Sequence, residues 1–233
     1  MVQLTPDEIN MKLVIPDWDK VSPIKEEEAR FIYDFVKKHQ LKRTLETGFA
    51  FARSASHIIA ASESMHISID PFQFRYKNYG INNIEKLGLK DYLDLRADYS
   101  HNILPQLLQE KRSFDFIFID GDHKFDGILV DFYYAAMLLE KGGYVLLHDT
   151  WMRSTRLVMS FIKKNRKDFQ KIHTPLRNFS LYQKIGDDKR DGMFFKEFYN
   201  FKMLFVHYLI NWMNSGKKGP VKKLAIWMKE KVK

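Results

Sequence analysis

The chain has 233 residues, 45% of them apolar and 15% aromatic, with no cysteine. That composition can fill a core and excludes a wholly disordered chain, while the missing thiols exclude a disulfide framework, thiolate chemistry and cysteine-ligated metal. Of the net charge of +9, an excess of +8 falls from Lys189 to the end, where eleven lysines and arginines meet three acids. Body and tail are therefore built for different partners.

The first residues carry acids and a proline where a secretory leader needs an apolar run, so a cytoplasmic chain is expected. SPIKEEEARFIYDFVKKHQ (22–40) predicts a helix, with Ser22 as its cap, Pro23 in its first turn and Glu26 to Glu28 set against its dipole. Strand-like and helix-like runs then alternate. KRTLETG (42–48), MHISID (65–70), YLDLRAD (92–98), FDFIFID (114–120) and YVLLHD (144–149) read as strands. FARSASHIIAASES (51–64), YKNYGINNIEKLGL (76–89), SHNILPQLLQEKR (100–112), DGILVDFYYAAMLLEKGG (126–143) and RSTRLVMSFIKKNRK (153–167) read as helices, the fourth stopped by Gly142 and Gly143. Repeated βα units predict an α/β fold, a Rossmann-like doubly wound sheet that is mostly parallel. DFQKIHT (168–174) and NFSLYQKI (178–185) break the alternation and predict an antiparallel β-hairpin at one edge. The domain is expected to span 1–186, followed by a C-terminal α-helical extension over 187–233.

In an open parallel sheet, ligands bind beyond the carboxyl ends of the strands. Every predicted strand delivers an acid there: Glu46, Asp70, Asp98, Asp120 with Asp122, and Asp149. The first turn carries small residues at Gly48, Ala50 and Ala52, not the G-x-G-x-x-G that lets a pyrophosphate approach the backbone. No phosphate-loop motif occurs either. Asp70, ending the second strand, is placed to accept two ribose hydroxyls. The expected ligand is thus a nucleoside without phosphates. DGDHKFDG fails as a calcium loop, because Lys124 takes a ligand position and no glycine stands sixth.

LETGFAFARSA, ISIDPFQ, RADYS and FIDGDHKFDGILVDFYYAAMLLEKGGYVLLHDT resemble, in order, the motifs of class I S-adenosylmethionine-dependent methyltransferases. The likeness is greatest to the subgroup with an I-D-G-D-H motif, many of them O-methyltransferases of small molecules or sugars. It covers roughly 24–185 and departs from the family at Ala52, where glycine is common. The resemblance implies S-adenosyl-L-methionine as cofactor, with its methionine part near Glu46, Gly48, Ala50 and Ser54. It implies ribose at Asp70 and adenine near Ala97, Asp98 and Tyr99, with Asp120 and Asp122 beside the cofactor. In metal-dependent relatives an ion such as Mg²⁺ is held at the positions of Asp120, His148 and Asp149, and the base stands where this chain has His123. His123 could instead position the substrate, and His148 could be a core histidine that holds Asp149 without an ion. The implied reaction is O-methylation of a small molecule or glycan acceptor. N-methylation, a hydroxylase-like relative and a non-catalytic cofactor-binding scaffold are the other readings.

The tail holds MFFKEFYNFKMLFVHYLINWMN (193–214), with a narrow polar stripe at Lys196, Asn200, His207, Asn211 and Asn214, and then GPVKKLAIWMKEKVK (219–233). A basic amphipathic helix with tryptophan fits a membrane surface, here the inner face, through residues 190–233. Packing on the domain or in a homo-oligomer is the other expectation. No DNA- or RNA-binding motif is present.

Overall fold

The structure is a computed structural model, and it describes residues 4–196 and Phe198. The expected tail helices lie outside the described residues.

The chain opens with α1 (Pro6–Lys12), a helix that the reading above did not expect. Its signal stands in the sequence: Thr5 caps it, Pro6 occupies the first turn, and Glu8 reaches back to the Thr5 amide at 2.8 Å. Ile9 buries its side chain completely. Asn83 then ties the following segment down, accepting from the Val14 amide and donating to the Val14 carbonyl.

Helix α2 (Glu26–Lys38) starts later than predicted. Ser22 does not cap it. Its hydroxyl donates to Asp19 at 2.6 Å, inside a tight turn that Asp19 organises with the Val21 and Ser22 amides. Lys25 stands at the cap position, and its amide is satisfied by Glu28.

The alternation of elements follows the expected order: β1 (Thr44–Thr47), α3 (Arg53–Ser62), β2 (His66–Ile69), α4 (Tyr79–Lys86), β3 (Leu93–Arg96), α5 (Ser100–Gln109), β4 (Phe114–Ile119), α6 (Phe125–Leu138), β5 (Leu139–Leu147), α7 (Arg153–Asn165), β6 (Phe169–Ile172) and β7 (Ser180–Lys184). One boundary is corrected. The helix expected to run to Gly143 stops at Leu138, and the strand begins at once. The Lys184 ammonium donates to the carbonyls of Ala136 and Leu139, which satisfies the helix end. Gly142 and Gly143 instead lie in an irregular excursion of β5, where the pairing jumps from Leu139 to Tyr144.

The seven strands form one sheet in the order β3-β2-β1-β4-β5-β7-β6. The first five are parallel, and β7 runs against both of its neighbours, as the hairpin reading expected. Alternating residues feed two cores. Phe116, Phe118 and Leu146 join Ile32, Val36, Ile58 and Ile59 on the face carrying α2 and α3. Ile117, Ile119, Val145 and Leu147 join Leu107, Phe132 and Val158 on the other. Strands apolar on both faces are what a parallel sheet covered on both sides requires. The strand order reverses direction between β1 and β4, and a crevice opens at that point.

Candidate active site

The cleft beyond the carboxyl ends of the strands has a volume of about 1510 Å³. Its floor is the crossing of two turns. Gly48 has φ +89, and a β-carbon there would lie 2.2 Å from the Asp120 carbonyl oxygen. Only glycine permits that approach. The next two small residues, Ala50 and Ala52, also take left-handed backbone, at φ 43 and φ 63.

The cleft brings together Gly48, Ala50, Ser54, Asp70, Tyr99, Asp120, Asp122, His123, His148 and Asp149. It leaves out three residues proposed for the cofactor. Glu46 is wholly buried on the sheet face shared with Phe118, where it accepts from the Ser68 hydroxyl at 2.8 Å and lies 3.5 Å from His66. Asp98 turns to the start of α5 and takes the Tyr99 amide and the Asn102 side chain. Ala97 does not line the cleft either. Both acids are spoken for by local hydrogen bonds, which the sequence alone does not reveal.

Asp70 is buried, and one of its oxygens accepts from the amides of Phe49 and Ala50 at 3.0 and 2.8 Å. The other takes the Phe72 amide at 2.6 Å, and Gln73 adds a longer contact to the first. A carboxylate offers about four lone-pair positions. Most are filled by the protein, so the carboxylate holds the first turn in place and has room for one hydroxyl, not two. Phe72 and Tyr99 meet edge to face, 5.7 Å apart, and give the cleft an aromatic wall.

At the opposite end, Asp120, His123 and Asp149 converge. The His123 Nε2 lies 3.1 Å from Asp149 and 3.7 Å from Asp120. The nearby Asp120 carboxylate, together with the charge of Asp149, outweighs burial and raises its pKa above the ordinary histidine value. Asp149 takes left-handed backbone at φ 50, a conformation that aspartate tolerates better than most residues.

His148 points inward. Its Nδ1 lies 2.8 Å from the Asp120 Oδ1, and its Nε2 lies 3.3 Å from Glu28. Burial opposes the imidazolium. The charge and hydrogen bond of Asp120 and the hydrogen bond with Glu28 overcome it, pushing the pKa up to about 10. Burial likewise opposes the Glu28 carboxylate, yet His148, the Lys25 amide and Asn178 hold its pKa down to about 2. Both ring nitrogens of His148 thus face protein carboxylates, Asp120 on one side and Glu28 on the other. The donor set with metal-compatible separations is Asp120, His123 and Asp149, whose ligand atoms lie within 4.8 Å of one another.

Glu28 and Asn178 were missed. Glu28 did leave a signal: with Ile32 and Val36 it keeps helical spacing along the buried face of α2, where an acid is out of place. Nothing in the sequence around Asn178 distinguishes it.

Residues 45–150 match the family model described as a methyltransferase domain. That stretch is similar to a methyltransferase domain. No curated protein matches it. Among solved structures, the O-methyltransferase TomG from Streptomyces achromogenes, in complex with S-adenosylmethionine, is similar at 18% identity and a TM-score of 0.61, over 78% of this chain and 88% of that one. An O-methyltransferase from Bacillus cereus, in complex with S-adenosylhomocysteine, is similar at 17% identity and 0.62, over 77% and 90%. The S-adenosylhomocysteine-bound methyltransferase of Podospora anserina is similar at 14% and 0.62, over 78% and 86%. The fold is thus the Rossmann-like one of these solved methyltransferases, as the sequence motifs led us to expect. Glu28 and Asn178 lie outside the matched stretch.

Proposed function

We propose that this methyltransferase moves a methyl group from S-adenosylmethionine to a hydroxyl oxygen of a small molecule or glycan. The observation that carries the reading is the placement of His123, half-exposed at the cleft, against the Asp120 and Asp149 carboxylates. The cofactor's methionine end would lie along Gly48, Ala50 and Ser54, a ribose hydroxyl on Asp70, and adenine by the wall of Phe72 and Tyr99. The acid-rich rim favours a sulfonium cation over an anionic ligand.

In the transfer, the acceptor oxygen forms a bond to the methyl carbon as the bond from carbon to sulfur breaks. The hydroxyl proton passes to the ring nitrogen of His123 that does not face the carboxylates, and the sulfur leaves as a neutral thioether. Asp120 and Asp149 stabilise the resulting imidazolium. The same three side chains fit a divalent ion, being two hard carboxylates and one imidazole. When bound, such an ion would lower the pKa of the acceptor hydroxyl.

Titration calorimetry with S-adenosylhomocysteine, on the wild type and Asp70→Ala, with and without Mg²⁺, tests the cofactor site. Binding lost in the variant supports the reading, and no binding to the wild type overturns it. An acceptor screen over phenols, sugars and amines, read by release of S-adenosylhomocysteine, then separates oxygen from nitrogen transfer.

The basic end of the chain is proposed to meet an anionic membrane surface, on the strength of its excess of +8 from Lys189 onward. No helix among the described residues is long and apolar enough to cross a membrane. Equal flotation with anionic liposomes, with and without residues 190–233, would end this proposal.

A further inference from the structure

Glu28 belongs to neither the methyltransferase motifs nor the strand ends, yet it is one of the most deeply buried acids in the chain. A buried carboxylate is costly unless its partners recover the loss. Those of Glu28 lead in one direction. Its Oε2 lies 3.3 Å from the His148 Nε2, and its Oε1 accepts from Asn178 at 3.0 Å. The far side of the same imidazole, Nδ1, meets the Asp120 Oδ1 at 2.8 Å. His123 approaches that same oxygen. Among the described residues, none donates a hydrogen bond to Oδ2 of Asp120, which remains for the cleft.

We propose that Glu28 is a positioning residue for methyl transfer: acting through His148, it fixes which oxygen of Asp120 is spent inside the protein and which is presented to the cleft. This rests on the methyl-transfer reading above. Three separate segments meet in the relay, since Glu28 comes from α2, His148 and Asp120 from the sheet, and Asn178 from the connection between β6 and β7. The ring cannot turn without breaking a contact at both ends. A fixed imidazole holds the Asp120 carboxylate in one rotamer, and the geometry of a proton acceptor is sensitive to displacements well below the size of an atom. Asn178 braces the same joint through Glu28, to whose Oε1 its Nδ2 donates.

The test is nitrogen-15 histidine spectroscopy of the full chain, with assignment by His148→Gln, on the wild type, Glu28→Gln and Asn178→Ala. In the wild type, His148 should show an Nδ1–H proton shifted far downfield and slow to exchange, and an Nε2–H proton beside it. In Glu28→Gln the Nδ1–H signal, which faces Asp120 and not residue 28, should move upfield and exchange faster. With an acceptor from the screen, the same variant should lower kcat by at least about tenfold at unchanged KM for S-adenosylmethionine. If Glu28→Gln fails to fold, the wild-type spectrum and Asn178→Ala still decide. A His148 without a protected Nδ1–H in the wild type overturns the proposal. So does an Nδ1–H signal indifferent to both substitutions. If the wild type shows the signals but binds no S-adenosylhomocysteine, the methyl-transfer reading fails while the link from Glu28 to Asp120 stands.

Discussion

Gly48 and Asp120 are pressed together at the floor of the cleft, with no room for a β-carbon between them: one on Gly48 would sit 2.2 Å from the Asp120 carbonyl oxygen and 2.8 Å from its carbon. The obstacle is backbone on both sides, so neither turn can yield by rotating a side chain. Gly48→Ala should therefore destabilise the domain by about 1–3 kcal/mol, the range for overpacking. It should also cost S-adenosylhomocysteine affinity by displacing the Asp120 turn. Thermal melts and calorimetry on the same preparation check both. A variant that melts with the wild type would show that the turns are not in this contact.

Asp70 serves the fold as well as a ligand. Three backbone amides, from Phe49, Ala50 and Phe72, and the Gln73 side chain point at its two oxygens. Asparagine would have to aim an NH₂ group at donors on one side. Asp70→Asn should lose about 1–3 kcal/mol of stability through unsatisfied buried groups. Its affinity for S-adenosylhomocysteine should fall with it. Loss of affinity at wild-type stability would mean that the carboxylate acts on the ligand alone.

Much of this arrangement is legible in the sequence. Parallel strands buried on both faces leave long apolar runs such as FDFIFI, and turn residues divide them from their helices. Strand ends then follow from the strands, and the acids at those ends from the alphabet. What could not be read was which acids were already occupied. Glu46 and Asp98 stand at strand ends like Asp70, but a serine hydroxyl on β2 and an asparagine one helical turn on take them out of the cleft. His148 lines the cleft, but its two nitrogens are aimed by Glu28 and Asp120, residues 120 and 28 positions away in the chain. Direction of a side chain is a property of packing, and spacing along the chain does not encode it.

Two buried groups make opposite demands on pH. Burial raises the pKa of Asp131 to about 6 from 3.8, against the opposing hydroxyls of Ser100 and Thr47. Its stabilising contribution is full below 3.8 and is lost as pH rises through about 6. Burial lowers the pKa of His57 to about 4 from 6.5, against a hydrogen bond to the Arg53 carbonyl. Its contribution is full above 6.5 and is lost as pH falls through about 4. Each shift corresponds to roughly 3 kcal/mol, so they nearly cancel across the same window. Asp131→Asn should unmask the histidine, losing stability relative to wild type as pH falls. His57→Gln should unmask the aspartate and do the reverse. Urea titrations at a series of pH values check the signs, and two variants with the wild-type profile would refute the pair.

His123 is where the base and metal readings part. As a base it takes the acceptor's proton, so His123→Ala should lower turnover by about 10²–10⁴. S-adenosylhomocysteine affinity should stay unchanged, because no cofactor contact is assigned to the imidazole. Chelation should then leave the wild type active, and added imidazole should restore part of the variant's rate. As an ion ligand it would behave differently in two respects: chelator would bring the wild type down to the variant's level, and imidazole would restore nothing without added metal. The two carboxylates are the same in either case, since Asp120 and Asp149 flank the His123 ring. Chelator sensitivity and imidazole rescue, measured together on one acceptor, assign the ring its role.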